Sequence, residues 1–180
     1  MSDFDAFSGE LLEESKRFLE KAAESSDHHG RNAYLHASLM LALSALEARI
    51  NSIAEVQAKR TDLSVHERGL LLEQEVYLQD GEFQLSNKLK MWRLDERVEF
   101  LCVRLSGKAL DKSRSWWGQL IEAIRLRNEL THPKAIPEIT ELSVSNALKA
   151  IINAFDELSQ AIYRKRYPGA RRGLTTKLQF

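Results

Sequence analysis

Apolar residues recur at three- and four-residue intervals along most of this chain, and short polar breaks separate the runs. Over residues 8–26, Leu11, Leu12, Ser15, Phe18, Leu19 and Ala22 share a helical face, with Ser8 placed to cap the start. Ser25-Ser26-Asp27-His28-His29-Gly30 interrupts the pattern. From about Arg31 to Lys59 a longer run puts Leu35, Leu39, Ala42, Leu46, Ile50 and Ile53 on one face, widened by Met40, Leu43 and Val56. Unbroken, that helix spans roughly 40 Å at 1.5 Å per residue. Ser64-Val65-His66-Glu67 has capping-box spacing and predicts a third helix through about Leu78, closed by a turn at Asp80-Gly81. Residues 82–94 show no clear period. Asp95 to Leu105 predicts a fourth helix ended by Ser106-Gly107.

Trp116, Leu120, Ile121 and Ile124 mark a fifth helix, capped by Ser113 or Ser115, and Pro133 and Pro137 bound the loop that follows. Ser143 is placed to start a last helix, whose stripe is Val144, Ala147, Leu148, Ile151, Ile152, Phe155, Leu158 and Ile162. Tyr167-Pro168-Gly169 ends it. No stretch reads as the strict alternation of a strand, and no repeat of 20–50 residues is visible. The expectation is an all-α fold: an antiparallel bundle of four to five main helices, with an inserted segment of shorter helices at about 60–112. A single domain is expected over 1–167, with a flexible basic tail at 168–180.

Composition narrows the class. Hydrophobic residues make up 43% and charged residues 29% of the 180, as in ordinary globular proteins. Eight Gly and three Pro leave little punctuation, which favours long helices. Formal net charge is zero, but it is unevenly spread. Residues 1–30 hold eight acids against Lys16, Arg17 and Lys21, whereas Arg164 to Phe180 holds Arg164, Lys165, Arg166, Arg171, Arg172 and Lys177 with no acid. Cys102 is the single cysteine, in the apolar run VEFLCVRL, so neither an internal disulfide framework nor a cysteine-based zinc site is open to it. The N-terminal residues lack the basic and apolar regions of a secretion signal, and no apolar run is long enough for a membrane span, so a cytoplasmic protein is expected.

One polar cluster stands apart from this pattern. Arg125, Arg127, Asn128, Glu129, Thr131 and His132 bunch at the end of the fifth helix, just before Pro133. Five residues separate Arg127 from His132, about 140° around a straight helix. A proline pushes the residue before it out of the α region, so the helix should stop near Thr131 and His132 should swing away, letting the two heads meet. Taken alone, cations there also offset the helix dipole.

Arg127-Asn128-Glu129-Leu130-Thr131-His132 matches the R-N-x-x-x-H form of the R-x4-6-H motif and resembles the HEPN superfamily. A Trp-containing helix leading in, a proline after the histidine and the long second helix AYLHASLMLALSALEARI are similar to that family too. The resemblance implies metal-independent RNA cleavage in a homodimer, with the ribose 2′-hydroxyl as nucleophile and no cofactor. His132 would move the proton, Arg127 would stabilise charge on the phosphate, and Asn128 would support them. It also implies a toxin–antitoxin or phage-defence setting, with an antitoxin as partner. The alternative is a non-catalytic helical module that binds a nucleotide or a partner protein such as a nucleotidyltransferase.

Other residues enter with their alternatives. Glu47, an acid on an apolar turn of the second helix, can pair with Arg127 or orient His132, or pair with Arg49 or a surface lysine. Arg125 and Lys134 are candidate RNA backbone contacts, as are Arg171 and Arg172 of the tail, which otherwise only solubilises the chain. One of Trp116 and Trp117 is expected in the core, leaving the other to stack a base. His28-His29 reads as a solvated loop rather than a metal pair, so no metal is expected.

Overall fold

The computed structural model describes residues 3–180; Met1 and Ser2, at the start of the expected 1–167 unit, lie outside them. The described chain is mostly helical. It runs α1 (Asp3–Glu24), α2 (His28–Gln57), α3 (Val65–Leu72), β1 (Gln74–Gln79), β2 (Glu82–Leu89), α4 (Leu94–Ser106), α5 (Ser115–Thr131) and α6 (Glu141–Tyr163), then a 3-10 turn at Pro168–Arg172. Among the described residues, no helix is long and apolar enough to cross a membrane.

The 30-residue α2 packs against every other helix. Leu39, Ala42, Leu43, Leu46 and Ile50 on it are buried, as is the predicted α6 stripe from Val144 to Leu158. Val56, by contrast, is exposed. α1 and α2 approach closely because small residues line the contact: Ser8, Ser15 and Ala22 on one helix, and Ser38, Ala45 and Ser52 on the other, are all buried. Ser15 Oγ donates to the Ser38 carbonyl at 2.6 Å, and Ser38 Oγ donates back to the Ser15 carbonyl at 2.8 Å. Asp5 pairs with Arg49 further along, so the two chains run in opposite directions.

Helix starts differ from expectation where side chains find better work. α1 already begins at Asp3, and Ser8 lies inside it, its hydroxyl donating to the Asp5 carbonyl. Asp27 caps α2 by accepting from the Gly30 N–H, which puts His28 and His29 in its first turn rather than in a loop. Arg114, not Ser113 or Ser115, occupies the cap position of α5, because Ser113 is bound to Asp111. Thr140 and Ser143 form a reciprocal box at the start of α6, with Thr140 as the cap.

The largest correction falls in the inserted segment, which is not all helical. α3 stops at Leu72, where Glu73 adopts a left-handed conformation (φ 53°). An antiparallel hairpin follows, and Asp80 (φ 51°) and Gly81 (φ 84°) form its two-residue turn with both φ angles positive. Such a turn matches the right-handed twist of paired strands. Gly69 lets β1 lie against α3: a β-carbon there would sit 2.7 Å from Val76 Cγ2.

Arg97 holds this insertion to the rest of the fold. It is 3% exposed and donates to Asn51 Oδ1 (2.8 Å) on α2 and to the Leu71 carbonyl (3.0 Å) ending α3, and it pairs with Glu73 (3.0 Å) at the hairpin base. Burial pulls its pKa down, while Glu73 and Glu47 push it back up. The tail lies on α1. Glu13 accepts from Lys16, Arg172 and the Lys177 N–H, Thr176 Oγ1 donates to the Glu13 carbonyl, and the Phe180 ring meets Phe18. Lys16, beneath it, is fully buried.

Candidate active site at the end of helix α5

Pro133 can neither donate to the helix nor let its predecessor stay helical, and α5 ends accordingly at Thr131. Thr131 Oγ1 folds back onto the carbonyls of Arg127 (3.0 Å) and Asn128 (3.2 Å), occupying acceptors that the missing turn would leave open. His132 makes the last backbone bond, N–H to Asn128 O at 2.9 Å, at φ −130° and ψ 61°, off the helical path. Its ring is exposed.

His132 and Asn128 are four residues apart and share one side of α5. With Lys134 they line an open cleft of about 870 Å³, whose apolar wall includes Leu126, Ile136 and Pro137. Ile136 is 98% exposed, and Leu142 nearby in sequence is 69% exposed. The cleft therefore combines an imidazole, an amide and an ammonium with apolar surface open to solvent.

Arg127 faces elsewhere. Consecutive helix residues point about 100° apart, and Arg127 turns toward α2, where Nη2 donates to Glu47 Oε1 at 3.0 Å. Its Nε is buried without a partner. It does not line the cleft that holds His132. Of the partners open to Glu47, the structure shows Arg127; Arg49 goes to Asp5. So the structure brings Arg125, Asn128, His132 and Lys134 to one cleft, joins Arg127 to Glu47, and leaves the two groups on different sides of one helix end.

The remaining candidates divide by whether their charge is free. Arg125 forks onto Glu122 and Glu129 along the outside of α5, contacts that raise its pKa. Arg172 is spent on Glu13, whereas Arg171 is exposed and has no partner among the described residues. Trp116 and Trp117 are both buried, edge to face at 5.6 Å, so neither offers a face for a base. Among the described residues, no three His, Cys, Asp or Glu side chains converge as metal ligands would. Sequence reasoning missed Arg97, whose signal was an arginine inside the apolar stripe of α4.

No family model, curated protein or solved structure matches the chain.

Proposed function

We propose that the chain is a metal-independent endoribonuclease of the HEPN type, active as a homodimer of helical bundles in which two copies of the α5 end face one another. The observation that carries the reading is His132: exposed, released from its helix, and set beside Asn128 and Lys134 in an open cleft. In this chemistry one histidine takes the proton of a ribose 2′-hydroxyl, whose oxygen attacks the adjacent phosphorus. The other copy's histidine protonates the departing 5′-oxygen, leaving a 2′,3′-cyclic phosphate and a 5′-hydroxyl. Arg127, whose direction Glu47 fixes on the neighbouring side of the same helix end, would meet the charge that builds on a phosphate spanning that end. Exposed Ile136, with Pro137 on the cleft wall, gives the second copy an apolar seat. A cytoplasmic toxin or phage-defence role, with an antitoxin partner, belongs to the same reading.

One observation favours a second reading. Arg127 is already committed to Glu47, as a purely architectural arginine would be, which fits a non-catalytic module binding a nucleotide or a nucleotidyltransferase partner in the same cleft. RNA incubated in EDTA with wild type, Arg127→Ala and His132→Ala separates the two. The ribonuclease cuts in EDTA, loses activity in both variants and leaves cyclic phosphate ends. Cleavage that persists in both variants sinks it, as does a strict monomer at micromolar concentration. The binding module gives no cleavage with any of the three proteins, and a bound nucleotide stabilises it less after His132→Ala.

A further inference from the structure

Fifteen arginines are present, and among the described residues eleven of them form ion pairs with carboxylates. Three of the four left over are Arg164, Arg166 and Arg171, grouped within eight residues after α6; the fourth is Arg68. Lys165 lies among them, likewise exposed and unpaired. Of the acids on the last turns of α6, Glu157 pairs with Arg114, and Asp156 accepts from Gln160 and the Tyr167 N–H; among the described residues neither forms an ion pair with this group. A helix C-terminus carries about half a negative charge, which one cation offsets. Four cations are far more than α6 needs.

The group is also held in place. Arg164 takes the left-handed cap position (φ 57°), where glycine is the easier occupant. Just beyond, Tyr167 packs edge to face on Phe155 at 5.1 Å and its N–H binds Asp156 at 2.8 Å, pinning the turn. Tyr163, 58% exposed, directly precedes Arg164 in the chain.

We infer that Tyr163, Arg164, Lys165, Arg166 and Arg171 form a binding surface for single-stranded RNA, the cations on successive phosphates and the tyrosine under a base. Planar guanidinium forks beside a ring suit phosphates alternating with bases; an anionic membrane would call for apolar side chains to insert, and Tyr163 is the one large exposed apolar residue here. The choice of RNA as polyanion rests on the proposed activity. The location does not come from that reading, because α5 and α6 run in opposite directions: Arg114–Glu157 joins them at one end, and residues 132–140 connect them at the other. The 23 residues of α6 thus put the surface roughly 35 Å from the His132 cleft. At about 3.4 Å per stacked nucleotide, a strand touching both needs on the order of ten nucleotides.

The test is equilibrium binding of a labelled mixed-sequence RNA of about 20 nucleotides to the full chain carrying His132→Ala, so that binding is read without cleavage. Neutralising four phosphate contacts (Arg164→Gln, Lys165→Gln, Arg166→Gln, Arg171→Gln together) should flatten the plot of log affinity against log salt by about 3, at 0.7 per contact. Affinity at 0.1 M salt should fall on the order of a hundredfold. Lysine at all four positions should keep the slope, and Tyr163→Ser should weaken single strands about tenfold while sparing duplex. Neutralising the ion-paired Arg31, Arg60 and Arg93 should change little.

An unchanged slope in the fourfold glutamine variant overturns the proposal. So does wild-type binding to phosphatidylserine vesicles that the variant loses while its RNA binding is intact. The two readings fail separately. Loss of RNA binding in a protein that never cleaves sinks only the activity; full binding and cleavage by the fourfold variant sinks only the surface.

Discussion

Replacing Arg97 by methionine should loosen the whole insertion from the helices beneath it. The side chain is 3% exposed, and its loss strands three acceptors at once: Asn51 Oδ1, the Leu71 carbonyl and the Glu73 carboxylate. Breaking a buried pair by deleting one partner costs about 3–5 kcal/mol. Two features pull the figure toward the lower end. Glu73 keeps 22% of its side chain exposed, so water reaches it, and burial already disfavours the charged guanidinium that methionine removes. A loss of about 3 kcal/mol is expected, or roughly 6–12 °C in melting temperature for a chain of this length. Urea unfolding followed by circular dichroism measures it, with an unchanged m-value as the sign that only stability moved. Adding Glu73→Gln removes the stranded charge and should recover about 1–2 kcal/mol, giving a clear coupling in the double-mutant cycle. Hairpin amides should also exchange faster in the single variant. A single-variant loss below about 1 kcal/mol, or a double variant no better than the sum of its parts, refutes the assignment of Arg97 as the clamp.

Further outcomes follow from other sites. Burial pushes the Cys102 thiol up to about 12, whereas the unfolded thiol ionises near its ordinary value of 9.0. Between those values the unfolded state binds fewer protons, so stability is full below about pH 9 and falls as pH rises toward 12, by up to about 1.4 kcal/mol per pH unit. Urea melts at pH 8 and pH 10 should show this loss in wild type and a smaller one in Cys102→Val. Gly69→Ala, normally favourable in a helix, should destabilise by about 1–3 kcal/mol because the new methyl meets Val76 Cγ2 and the Gln74 carbonyl; a rise in melting temperature would contradict the close approach. Glu13→Ala removes the carboxylate that holds Lys16, Arg172 and the Lys177 N–H, so trypsin should cut after Arg172 and Lys177 at least tenfold faster than in wild type. Glu47→Gln keeps an acceptor for Arg127 and should retain most cleavage, whereas Glu47→Ala should lose about tenfold, read as initial rates on one RNA.

The helices were legible because their apolar stripes face one large core, and Leu39, Leu46, Ile50 and Phe155 have 0% exposure on the faces their spacing predicts. The hairpin was not legible, because most of it faces water. With Leu78 63% and Phe83 55% exposed, no buried face forces a clean alternation, and Val76 and Leu78 read as easily as the end of α3. Asp80-Gly81 was recognised as a turn, but the conformation that joins strands rather than ending a helix depends on two positive φ angles. At the site, Pro133 announced the exit of His132 from α5. The direction of Arg127 was open until α2 brought Glu47 to it, since an acid on an apolar turn has several cations within a side chain's reach. Likewise, an acidic start and a basic finish imply attraction, but charge alone does not say that Glu13 would gather the tail into one geometry.

The exchange of hydroxyls between Ser15 and Ser38 acts as an alignment mark. Small residues repeat every seven positions on both α1 and α2, so sliding one helix by two turns would again set small against small, with Ser15 opposite Ala45. In the observed alignment each of the two buried hydroxyls donates to a carbonyl on the other helix. Glu47 is carried on α2 and would shift by about 10 Å in a seven-residue slide, far beyond the reach of Arg127. The alignment that this pair of serines marks, near the middle of the first two helices, is the one in which the α5 arginine meets Glu47.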